Sequence, residues 1–107
     1  MLNFLERFFF GDPIFGGVPR SSKWPSVRKS HLALHPACEV CGTRKNLECH
    51  HIVPYNVRPE MELDFQNLIT LCRKDHLLFG HLNSFYSFNK DVKEDACIWK
   101  YKIIRRP

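Results

Sequence analysis

No apolar stretch in this sequence approaches the roughly 20 residues needed to span a membrane, so no membrane segment is expected. The opening MLNFLERFFF begins like a secretion signal, but Glu6 and Arg7 interrupt it and no apolar core of adequate length follows. GDPIFGG after it is a turn sequence, not a small-residue cleavage site, and a cytoplasmic location is the expectation. Internal repeats and low-complexity segments are also missing. At 107 residues the chain has room for one core and no second. Acidic residues are scarce as well, 11 against 16 Lys and Arg, for a net charge of +5 and a pI near 9.1, which favours an anionic partner such as nucleic acid.

Five cysteines and six histidines are present. An odd cysteine count, with Cys38 and Cys41 three apart, argues against a disulfide framework and for thiolates on a metal in a reducing compartment. A small domain gains stability from such a structural ion.

Residues 1–10 read as a short amphipathic helix whose Phe8, Phe9 and Phe10 cap a core, and 11–22 as a Gly/Pro-rich loop. KWPSVRKSHLAL, from Lys23, starts a helix with Pro25 in its first turn and Val27, His31 and Leu34 at helical spacing. PACEVCGTRKN is a tight knuckle closed by Gly42, LECHHIV a strand, PYNVRPEMELDF an exposed loop and NLITL a second strand. CRKDHLLFGHLNSFYSF reads as a helix carrying Leu77, Leu78, His81, Leu82 and Phe85. The tail CIWKYKIIRR alternates in the manner of an edge strand. The domain organisation is thus an N-terminal extension and loop (1–22), a central domain (23–90) and a basic C-terminal tail (91–107).

Cys38-x-x-Cys41 followed by glycine is a half-site for tetrahedral zinc, and Cys72 supplies a plausible third thiolate. A second C-x-x-C would put cysteine at position 75, where this chain has Asp75. The fourth ligand is therefore open between Asp75 and His81. Cys49 and Cys97 read as small buried hydrophobes, and His31 and His35 as surface or helix-packing residues.

His50 and His51 are adjacent on a strand, so their side chains point to opposite faces and serve different tasks. Together with Asn67 and His76 they complete a pattern. CEVCG (38–42), LECHHIVPYN (47–56) and NLITLCRKDH (67–76), in this order and spacing, resemble the HNH endonuclease family of phage or bacterial type. Asp75 departs from that pattern, since the family often has the fourth cysteine there.

The resemblance implies an α+β fold, a small ββα-metal (His-Me finger) core with a structural zinc site and flanking helices. It also implies metal-dependent hydrolysis of DNA phosphodiesters. His51 would be the general base, Asn67 would hold the loop that orients it, and His50 with His76 would bind a catalytic divalent metal (magnesium, manganese, nickel or zinc). His81 lies five residues after His76, a rotation of roughly 140° on an α-helix, so the two would share one ion only with distortion. Arg28, Lys29, Arg73 and Lys74 are candidate phosphate contacts. Nothing resembles a base-reading element, so little sequence specificity is expected. The partner is DNA; a homodimer, or a partner protein such as a phage packaging component, stays open. The competing reading is a non-catalytic, zinc-stabilised DNA-binding module, which leaves His50, His51, Asn67 and His76 unexplained. An adaptor using the Phe-rich N-terminus would leave both constellations unexplained.

Overall fold

A computed structural model describes residues 19–106; the expected helix over 1–10 and most of the loop over 11–22 lie outside the described residues. Helix α1 spans Trp24–Leu34, entered through Pro25 in the first turn, where a missing N–H costs nothing. Its buried residues are Trp24 and His31, one at each end of the face it turns inward.

Strands β1 (Leu47–His51) and β2 (Leu68–Cys72) form a two-stranded antiparallel sheet, in register from Leu47 opposite Cys72 to His51 opposite Leu68. β2 is buried along its whole length, as its unbroken apolar sequence LITLC requires, whereas β1 is buried only at its two histidines. The knuckle is stitched to the sheet by the Glu39 N–H, which donates to the Thr70 carbonyl at 3.0 Å. Gly42, at φ 78°, makes the turn that a side chain would oppose.

After β2 come a single α-turn, α2 (Arg73–Asp75), and a π-helical turn, His76–Gly80. Leu82 and Asn83 then adopt positive φ, 52° and 65°, which stops the helix. The helix expected through Phe88 is therefore cut short. Its apolar periodicity arises from a turn and a loop that fold back over the imidazoles, with His81 4.9 Å from Phe85 between ring centroids.

Helix α3 spans Val92–Ile104, where an edge strand was expected. The expectation failed because the pattern starting at Cys97 misses the first turn, VKEDA. Glu94 and Asp95 there suit the positive end of the helix dipole, and Val92 and Ala96 at i, i+4 give the buried face. Cys97 is exposed and Cys49 half-buried, so Cys97 is not the buried hydrophobe expected. The core is Cys38, Val40, Ile69, Leu71, Cys72, Val92 and Ala96, with Leu47, Ile52 and Phe79 packed against it. The described structure is thus the small α+β ββα arrangement expected, and no described helix is long and apolar enough to cross a membrane.

His31 is buried on α1, stacked between His35 (4.7 Å between centroids) and Phe65 (6.0 Å), beside an open cleft of about 410 Å³ between α1 and α3. Neither ring nitrogen has a hydrogen-bond partner among the described residues. Burial, with the nearby His35 and Lys93 charges, pushes its pKa down to about 4. The unfolded chain takes up a proton near pH 6.5 that the folded one refuses until about pH 4, so stability is lost as pH falls through that window. His31→Phe should reduce the stability lost between pH 7 and pH 5 by roughly 1 kcal/mol, discounted for nearby solvent. Urea unfolding of both proteins at the two pH values measures it.

Candidate metal centres and active site

Two clusters of metal-ligating side chains flank α2. In the first, Cys38, Cys41, Cys72 and Asp75 bring one donor atom each to within 4.8 Å of one another. Asp75 Oδ2 lies 3.3 Å from Cys38 Sγ and 3.3 Å from Cys72 Sγ, and the sulfurs of Cys41 and Cys72 are 3.9 Å apart. Tetrahedral zinc with ~2.3 Å bonds to sulfur has edges of about 3.8 Å, so this donor set fits the ion. Its chemistry fits too. Asp75 is buried among three thiols, and burial together with its negative neighbours pushes the Cys72 thiol up to about 12, an arrangement a cation would relieve. Of the two candidates for the fourth position, Asp75 lies with the cysteines. His81 does not.

His81 is in the second cluster, with His50 and His76. β1 turns His50 to the side covered by the π-helical turn, with its ring centroid 4.7 Å from His76 and 4.9 Å from His81. The distortion that the α-helical rotation demands is supplied by the backbone. A π-turn closes i to i+5, which returns residue 81 to the side of residue 76. Gly80 makes room, since a Cβ there would stand 3.0 Å from the His50 ring.

Hydrogen bonds fix where the lone pairs point. His81 Nδ1–H donates to the Ser87 carbonyl at 2.7 Å, and His76 Nδ1–H to Glu48 Oε1 at 2.9 Å. The Nε2 atoms of His76 and His81 then face each other at 3.2 Å, and two lone pairs at that distance need a proton or a cation between them. His50 Nε2 is buried with no hydrogen-bond partner among the described residues. Burial, and secondly the neighbouring imidazoles, hold His50 well below the usual histidine range; burial likewise holds His81 at about 4, so both are neutral at pH 7. Imidazoles with converging ring nitrogens are what a divalent transition metal takes as ligands. Glu48 and the Ser87 carbonyl are the outer partners that orient them.

His51 points the other way, against Trp24 of α1 at 4.3 Å between centroids. Its Nε2–H donates to the Glu62 carbonyl at 2.8 Å, leaving Nδ1 as the acceptor, and burial pushes the ring down to about 4. The loop that supplies this carbonyl is pinned by Asn67. The Asn67 side chain accepts from the Val53 N–H (2.9 Å) and donates to the carbonyls of Val53 (3.0 Å) and Met61 (3.2 Å). A small cavity of about 70 Å³ joins His50, His51, His76 and His81 to Tyr55 and Arg20. The Arg20 guanidinium lies 4.4 Å over the Tyr55 ring, while the Glu62 carboxylate accepts from the Ser21 N–H at 3.1 Å, tying this segment to the loop.

Residues 38–81 match the family model for HNH endonucleases. Over that segment, under half of its length, the chain is similar to HNH endonucleases. No curated protein and no solved structure matches the chain. HNH nucleases act on DNA, and the matched segment runs from Cys38 to His81. Of the four expected phosphate contacts, Arg28 and Lys29 are exposed on α1, and Arg73 and Lys74 are exposed on α2. Arg28 is near enough to act electrostatically on Cys49, which lines the HNH cavity. Arg73 and Lys74 instead border a shallow groove with Lys45 beside the cysteines.

Three members of the site are not read from the sequence in their observed places, among them Glu62, whose carbonyl accepts from His51. His81 was set aside from His76 on α-helical geometry. In the sequence Arg20 is one basic residue among many, and its place over the Trp24 and Tyr55 rings, on the cavity wall, singles it out.

Carboxylate oxygen is a less common zinc ligand than thiolate, so Asp75→Cys should hold zinc at least tenfold more tightly and Asp75→Ala less tightly than the parent chain. Competition with a chromogenic chelator measures both.

Proposed function

We propose that the HNH domain is a metal-dependent endonuclease that hydrolyses DNA phosphodiester bonds, with His51 as general base and His50, His76 and His81 as ligands of a divalent metal. The observation that carries this reading is the pairing of a base of fixed tautomer with a converging set of imidazoles on one small cavity.

His51 holds its proton on Nε2, toward the Glu62 carbonyl, and presents Nδ1 to take one from an attacking water. Its depressed pKa keeps that nitrogen unprotonated at neutral pH. Asn67 acts as a positioning residue, because it fixes the loop on which Glu62 sits. His50, His76 and His81 hold the cation, which when bound supplies charge relief at the scissile phosphate and the departing 3′-oxygen. Hydrolysis in this sense leaves 5′-phosphate and 3′-hydroxyl ends. Imidazole ligands suit zinc, nickel or manganese, and substrate and water oxygens would complete a magnesium site.

Arg20, beside the imidazoles, is placed to contact the substrate phosphate. Arg28, Lys29, Arg73 and Lys74 contribute backbone affinity that falls as salt rises. The cysteine cluster takes structural zinc, separate from the catalytic ion.

Nicking of supercoiled plasmid tests the reading. The wild-type chain should nick only with added divalent metal, and His51→Ala should lower the rate by roughly 10²–10⁴-fold while leaving plasmid binding intact. Equal binding by both proteins with no cleavage by either would assign the domain to DNA binding without catalysis.

A further inference from the structure

The cleft between α1 and α3 shares no lining residue with the imidazole cavity and has no part in the nuclease reading. Its volume, about 410 Å³, is that of a small-molecule pocket. α3 contributes Lys93, Ala96, Cys97 and Lys100, which lie at i, i+3, i+4 and i+7 and so share one face. His31 and His35 come from the last turn of α1, and Phe65, Leu68 and Ile69 add apolar surface. Glu39 is the one acid among the described residues that line it.

Three features of the cleft describe its occupant. The first is His31, which is only 3% exposed and has no hydrogen-bond partner at either ring nitrogen among the described residues. A neutral imidazole offers one N–H and one lone pair, so a ligand edge carrying both an acceptor and a donor answers it. The second is the row of flat rings Phe65, His31 and His35, whose two outer members are exposed and open to a further aromatic ring. The third is charge. Lys93 and Lys100 stand two helical turns apart on the same wall, and neither forms an ion pair among the described residues. Lys93 Nζ donates to the Gln66 carbonyl at 2.8 Å, which holds its charge in place.

A metal ion is a poor match, because the lysines repel it and no third ligand joins the two histidines. Among the described residues only the cysteine and imidazole clusters bring three donor atoms within 4.8 Å of one another. A simple anion satisfies the lysines but leaves the rings and His31 unused. A nucleotide uses all three features: its base lies against the rings, the base edge meets His31 and the phosphate meets the lysines. We propose that this cleft binds one nucleotide with its base unpaired. A free nucleoside monophosphate and an unpaired residue of a single strand offer the same chemistry, whereas a duplex has its base edges and faces already engaged. The inference goes beyond the nuclease reading and does not need it.

Cys97, exposed on the cleft wall, reports occupancy. Its alkylation by iodoacetamide is followed by peptide mass spectrometry on the full, zinc-loaded chain. Saturating 5′-dAMP should slow the reaction at Cys97 by at least about threefold, while deoxyadenosine or inorganic phosphate at the same concentration should protect far less. Lys100→Glu, at an exposed position, should lose most of that protection, with circular dichroism confirming its fold. A short oligodeoxyadenylate that protects at lower concentration than 5′-dAMP assigns the site to single strands; the reverse order assigns it to the free nucleotide. No protection by either would overturn the proposal. Equal protection by phosphate alone, by an acidic peptide or by the duplex of the same oligonucleotide would also overturn it, as would undiminished protection in Lys100→Glu.

Discussion

Asp75 and His76 are consecutive residues that belong to two different clusters, and the rest of the site depends on that divergence. Cys72 and Asp75 face the knuckle, anchoring the end of β2 and the single turn of α2. The chain then widens into the π-turn, which carries His76 and His81 to one side of His50. A cation on the cysteine cluster would draw its thiols into the thiolate form and neutralise the buried carboxylate, and would fix the backbone from which His76 projects. The two clusters therefore share a mechanical element while differing in chemistry. One is sulfur-rich with a hard oxygen, the other entirely imidazole.

Burial supplies the electrostatics. His50, His51 and His81 are all nearly excluded from solvent, and exclusion holds each in its neutral form. In the proposed mechanism neutrality serves two ends, since a metal ligand and a general base both need a free lone pair. Which nitrogen offers it is decided by partners far along the chain: Ser87 for His81, Glu48 for His76 and the Glu62 carbonyl for His51. Asn67 reaches the Glu62 loop from the end of the connection, so one amide side chain closes the stretch between β1 and β2.

Much of this was legible in the sequence because it is local. The C-x-x-C, the double histidine and the N-to-H spacing each report a turn, a strand end or a helix start, and their order carried the ββα core and the identity of the cluster residues. What was not legible depends on departures from regular geometry. An α-helix puts residues five apart on different faces, so His81 could not be joined to His76 without knowing that the helix relaxes to a π-turn there. The C-terminal segment was misread because Trp99, Tyr101 and Ile103 alternate by coincidence, while the acidic first turn and the Val92–Ala96 spacing lay upstream. Arg20 and Glu62 entered the site through tertiary contacts alone, which no spacing rule reports.

The central claim is that each chain holds two separate metal centres and that His81 belongs to the imidazole one. Native mass spectrometry of the protein loaded with excess zinc, for the wild type and for His81→Ala, tests it most directly. The account predicts two bound ions per wild-type chain, and one in His81→Ala, resistant to removal because the cysteine cluster holds it. A wild type that binds a single ion, or a His81→Ala chain that keeps two as firmly as its parent, would contradict it.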